Sequence, residues 1–195
     1  MTETSLASQV GGNAAPGDGR VAVRVWDPLV RLTHWTIAAA IVLNGALVDE
    51  ESLAHVWIGY AALGVLALRL AWGVIGPKHA RFSAFPPSIG GALNHVAEML
   101  TGRAKPHLSH NPLGALMVYA LWGLLAVVSL TGVAMETDAL WGLKDVEDVH
   151  EVAANLLMIL AALHVAGVVI ESKRSGVNLV RAMIDGVKRM PGDGR

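Results

Sequence analysis

Eight histidines and no cysteine define the metal chemistry open to this chain of 195 residues. Without thiols there is no disulfide scaffold, thiolate-bound iron–sulfur cluster, cysteine nucleophile or covalent C-type haem attachment, and imidazole is the one strong nitrogen ligand left. His150 and His164 are 14 residues apart, which on a helix means ~21 Å of rise and a net rotation of only ~40°, so both project from one face. His164 lies inside the run MILAALHVAGVVI, where an ionisable side chain is costly and marks a functional position by default. His34 and His55 open two other apolar runs from opposite sides. Matching by depth pairs His55 with His150 at an outer level and His34 with His164 at an inner one. Two imidazoles from two helices at each of two levels is the layout of two bis-histidine haems in a helix bundle. Paired zinc or a proton relay are the other uses of such histidines. His150-Glu151 starts an HExxH pattern, but Ala154 ends it, and no carboxylate follows His34 or His55 at ligand spacing, so the spacing favours haem.

Arg69 follows His55 by 14 residues and therefore sits on nearly the same helix face at about the depth of His34 and His164. There it either pairs with a haem propionate or snorkels to the interface. Gly45, Gly59, Gly64 and Gly132 are places where a flat macrocycle can approach a helix, or simply small-residue packing positions. Trp26, Trp35 and Trp72 on one side, and Trp57 and Trp141 on the other, read as an aromatic belt; Trp122, in mid-span, reads as core packing or as a spacer between haem levels. His79, His95, His107 and His110 fall in a long polar connection and read as solvated loop residues, with a quinone pocket as the alternative.

These residues need elements to hold them at depth, and composition says what kind. The chain is 53% apolar and only 16% charged, with a mean hydropathy of +0.49; the deficit of charge points to lipid as the solvent. Asn111 to Met135 is 25 residues without a charge and Val152 to Ile170 is 19, near or beyond the ~20 that cross a bilayer. Four spans are expected, at about residues 32–48, 53–76, 111–135 and 151–170, in an all-α integral membrane four-helix bundle. Residues 1–20 lack a signal-peptide pattern and read as a disordered tail, residues 21–172 as the four-span domain, and residues 173–195 as a basic amphipathic tail. Ile89, Leu93, Val96 and Leu100, and again Val177, Val180, Ile184 and Val187, recur at helical spacing and predict amphipathic helices on the membrane surface.

Charge sets the orientation. Of 15 Lys and Arg, all but Arg69 and Lys144 lie in the N-terminal segment, the 77–110 connection or the C-terminal tail, which places both termini in the cytoplasm. The opposite loops carry Asp49, Glu50, Glu51, Glu136, Asp138, Asp145, Glu147, Asp148 and Glu151 against Lys144 alone. An acidic patch of this density at the outer haem level suits a basic redox partner, most simply a c-type cytochrome. A net charge of −1 gives no reason to invoke nucleic acid.

With the histidines placed, the chain resembles the prokaryotic cytochrome b561 family and the related b-type cytochrome subunits of nickel–iron hydrogenases. The segments that carry the likeness are VWDPLVRLTHW (25–35), AHVWIGYAALGVLALRLAWGVIGP (54–77), SHNPLGALMV (109–118) and HEVAANLLMILAALHVAG (150–167), spread over roughly residues 21–172. The resemblance implies four membrane helices holding two haems b, and electron transfer between a membrane quinone and a partner. The expected function is thus a dihaem cytochrome of the inner membrane, linking the quinone pool to a periplasmic c-type cytochrome or to a hydrogenase or other oxidoreductase subunit. Rival readings are a superoxide-linked quinone oxidoreductase and a non-redox membrane protein whose histidines bind another metal.

Overall fold

The computed structural model describes residues 20–101 and 111–191. The tail expected to be disordered lies outside them apart from Arg20, as do His107 and His110. In chain order the elements are β1 (Arg20–Arg24), α1 (Pro28–Val42) continued by a π-helical turn (Leu43–Leu47), α2 (Leu53–Ile75), a 3-10 turn (Phe82–Ala84), α3 (Ile89–Leu100), α4 (Pro112–Met135), α5 (Lys144–Ser175), α6 (Leu179–Asp185) and β2 (Val187–Pro191). Four stretches, Pro28–Leu47, Leu53–Ile75, Pro112–Met135 and Lys144–Ser175, are long and apolar enough to cross a membrane. They run alternately up and down, so β1, α3, α6 and β2 share one end of the bundle. The other end carries the acidic loops.

Local signals explain where each span begins. The Asp27 carboxylate accepts from the backbone N–H of Leu29 and Val30 at 2.9 and 3.0 Å, and Pro28 needs no donor at the first helical position. Span one therefore starts at residue 28 and not 32, with Arg31 inside the helix. Asn111-Pro112 repeats the device for α4, the Asn111 amide oxygen accepting from Gly114 N at 2.7 Å. α5 is the longest helix, at 32 residues, well beyond the expected 151–170. Asp145 and Glu147 in its first turn and Lys173 and Arg174 in its last complement the helix dipole, and Gly176 (φ 68°) stops it. Asp145, Glu147, Asp148 and Glu151, expected in a loop, lie in its first two turns, and His150 sits inside the helix instead of opening it.

The close helix pairs are α4 with α5, α1 with α2, and α2 with α4, with α3 laid against α4. Ala40, Ala62, Leu66, Leu125 and Leu157 form the buried centre. The surface helix α3 is present where expected. Its apolar stripe, Ile89, Leu93 and Val96, faces outward, whereas Ala92 and His95 are buried, so His95 is not the solvated loop residue its position suggested.

The structure adds one short strand pair to a mostly helical bundle and corrects the C-terminal reading. The amphipathic helix there is only seven residues long; Gly186 (φ 82°) ends it, and β2 pairs antiparallel with β1, Arg20 opposite Pro191 and Arg24 opposite Val187. Val187 is thus a strand residue, and Lys188, assigned to a polar helix face, is 5% exposed and lies 5.7 Å from the Trp26 ring. Trp26 itself belongs to a second small core with Val25, Val30, Ala80 and Ala182, not to an interfacial belt. Backbone N–H groups of Val25 and Trp26 donate to Gly186 O, the Arg31 guanidinium donates to Ile184 O, and Trp35 Nε1 donates to Met183 O. Residues 179–191 are clipped onto residues 20–35 by these bonds.

Candidate functional site

α5 presents both of its histidines to the gaps it leaves against α1 and α2. His34 on α1 faces His164 with ring centres 6.4 Å apart, and His55 on α2 faces His150 at 6.3 Å. Depth matching along the sequence had made the same two pairs. A metal–imidazole bond of about 2.0 Å plus about 1.1 Å from nitrogen to ring centre, counted twice, gives about 6.2 Å between rings that share one metal. Both pairs therefore stand at the separation at which one ion fits between them. Among the described residues no group of three or more His, Cys, Asp or Glu comes together. A tetrahedral zinc site wants more protein ligands than either pair offers, whereas haem supplies four equatorial nitrogens and asks the protein only for axial ligands. α1 and α2 touch α5 less closely than α4 does, which leaves the two pairs at the less tightly packed seams of the bundle.

At the His55–His150 pair, His55 is the third residue of α2, and its N–H donates to the Ser52 cap at 3.2 Å. Asn44, in the π-helical turn, donates from Nδ2 to His55 O at 2.9 Å, while its Oδ1 is buried without a hydrogen-bond partner. His150 Nδ1 lies 3.0 Å from Thr131 Oγ1. Gly132 lets the ring lie against α4, since a Cβ there would stand 3.3 Å from His150 Cε1. Gly45 serves packing, as a Cβ there would run into the Met158 side chain, whereas nothing lies within 4 Å of the corresponding position at Gly64, and only the Asn44 amide approaches that at Gly59. The Nδ1 atoms of His34 and His55 are buried without hydrogen-bond partners.

Arg69 is 5% exposed and does not reach out to the interface. Its Nη2 donates to Ala80 O at 3.3 Å, its guanidinium stacks 4.9 Å from the centre of the Trp122 ring, and its Nη1 is buried with no hydrogen-bond partner. That orphaned donor is a fit for an anionic group such as a propionate. The connection after α2 folds back to make this pocket. Phe82 sits over Gly73, where any Cβ would strike its ring, and packs on Tyr119 and Trp122 at 6.2 and 5.9 Å, with Phe85 beside them. Trp122 is a core residue of this aromatic cluster. Reading the sequence did not single out Thr131, Asn44, Phe82 or Phe85. The signal available was the Thr131-Gly132 pair, one polar and one small residue at the end of an uncharged span.

Residues 25–186 match the family described as prokaryotic cytochrome b561. The chain is similar to the probable Ni/Fe-hydrogenase B-type cytochrome subunit of Azotobacter vinelandii, 27% identical in an alignment 229 positions long that takes in 91% of this chain and 95% of that protein. It is similar to the protein of the same name from Azotobacter chroococcum mcd 1, 26% identical with the same coverage. No solved structure matches the chain.

Proposed function

From membership of the prokaryotic cytochrome b561 family, to which this chain belongs, we propose that it is a dihaem electron carrier of the inner membrane, with His55 and His150 ligating an outer haem and His34 and His164 an inner one. The observation that carries this is the pair of imidazole facings at 6.3 and 6.4 Å, each with one partner on α5. Haem b held by these histidine pairs would supply a one-electron couple at each level, and with two histidines committed to each iron it would serve electron transfer and not O₂ chemistry.

The chain's own residues do the rest. α5 fixes the two levels ~21 Å apart, most of a hydrocarbon core of ~30 Å. Leu66, Leu125 and Leu157 keep the space between them dry, and Arg69 offers its unused Nη1 to an inner propionate. Residues 21–172 form the haem-binding domain, and both termini lie in the cytoplasm, a reading supported by the concentration of Lys and Arg at the end bearing β1 and β2. Quinone exchanges electrons at the cytoplasmic level, beside His34. The outer level serves a periplasmic partner: a basic c-type cytochrome or, in keeping with the names of the two Azotobacter relatives, a hydrogenase subunit. Reduced-minus-oxidised spectra with pyridine haemochrome quantification on the purified protein are expected to give two haems b per chain. One haem or none overturns the two-level scheme.

A further inference from the structure

Thr131 has one hydroxyl proton, and two carbonyls of its own helix stand within hydrogen-bond reach of it. Oγ1 lies 2.7 Å from Val127 O and 3.0 Å from Val128 O, one turn back on its own helix, the usual use of a threonine hydroxyl inside a helix. With that proton given to the backbone, the 3.0 Å contact with His150 Nδ1 leaves the oxygen only an acceptor's role. His150 then carries its proton on Nδ1 and donates it, with the Val128 carbonyl as a further acceptor beside the ring, which exposes the lone pair of Nε2. Among the described residues no other member of the two pairs has a hydrogen bond at a ring nitrogen, and Nδ1 of His34 and of His55 is buried without one. Gly132, next along, holds the ring in place from the same helix.

We propose that Thr131 is a positioning residue for the outer haem: it selects the ligating tautomer of His150 and, by accepting a hydrogen bond from its Nδ1–H, lowers the reduction potential of that haem. An imidazole whose far N–H is hydrogen-bonded is a stronger donor to the metal and favours the more positive iron, a familiar role for groups behind a ligating histidine. The two haem levels are then unequal by construction. The proposal rests on the two-haem reading above.

The test is a spectroscopic redox titration of the purified, detergent-solubilised protein and of Thr131→Val and Thr131→Ser, with haem content measured alongside. Thr131→Val is expected to keep two haems and shift one towards reduction by a factor of about five at fixed ambient potential, the size of an ordinary hydrogen bond, with the other unmoved. Thr131→Ser, which retains the hydroxyl, is expected to match the unaltered protein. Loss of one haem in Thr131→Val but not in Thr131→Ser also supports the role. Unchanged potentials in Thr131→Val, or equal effects in both variants, overturn it. Fewer than two haems in the unaltered protein would instead overturn the reading beneath it.

Discussion

An imidazole deep in an apolar helix is costly unless something binds it, and His164 has lipid-like neighbours on both sides in sequence. If it and His34 share one haem, His164→Ala is expected to remove the inner haem alone, and His55→Ala or His150→Ala the outer alone, each leaving one haem per chain by quantitative spectroscopy. Loss of both haems from a folded, inserted single variant would count against independent pairs. Arg69 makes a second prediction at this scale. A positive charge favours the reduced, less positive iron. For a propionate-paired guanidinium taken to stand about 10 Å from the iron, with an effective dielectric of about 20, the charge is worth about 1.7 kcal/mol, or about 70 mV for one electron. Arg69→Gln is expected to lower the inner potential by that order in a redox titration, while the outer one stays put.

At the scale of elements, the strand pair β1–β2 holds a charged residue in a small core. Burial pushes the Lys188 ammonium down to about 8, with Glu171 acting in the opposite sense. Below about pH 8 the lysine is charged both folded and unfolded, and its burial cost is present in full. Between about 8 and the ordinary lysine value of 10.5 the unfolded chain binds more protons than the folded one, so stability rises with pH across that window. Protection of the 179–191 segment against limited proteolysis is expected to increase from pH 7.5 to 10, and Lys188→Met to flatten the trend. The turn after α2 is the other vulnerable element. Gly73 is the seat of Phe82, so Gly73→Val must expel that ring and is expected to cost about 1–3 kcal/mol, read as a lower melting temperature in detergent.

Across the whole molecule, charge is sorted by end. All nine carboxylates of the acidic end are exposed, and the single lysine there, Lys144, is already paired with Asp148 at 3.1 Å. With this end outside, as proposed above, topology rules exclude bases from it without requiring acids, so the density of carboxylates is a feature in its own right. Long-range attraction of this kind raises encounter rates and is screened over ~8 Å at physiological salt. Stopped-flow electron exchange with a basic cytochrome c is expected to slow as ionic strength rises, and to slow at low salt when Asp145, Glu147 and Asp148 are neutralised together. A rate indifferent to both would remove electrostatic docking.

The four spans, their up-and-down order and the pairing of four histidines were legible along the chain because each follows from a one-dimensional quantity: uncharged length, the sign of flanking charge, and a fixed rise and rotation per residue. Helix ends were less legible, since α1 begins at an Asp27-Pro28 cap and α5 extends through acidic turns that hydropathy alone assigns to a loop. Partnerships between distant segments were not legible at all. Nothing local tells that VKRMP will pair with RVAVR, that Phe82 will seat on Gly73 beneath Arg69, or that Thr131 will stand 3.0 Å from His150. Those contacts arise only when helices pack in three dimensions, because hydrogen bonds and steric fit depend on ångström distances between residues whose separation in sequence carries no such information.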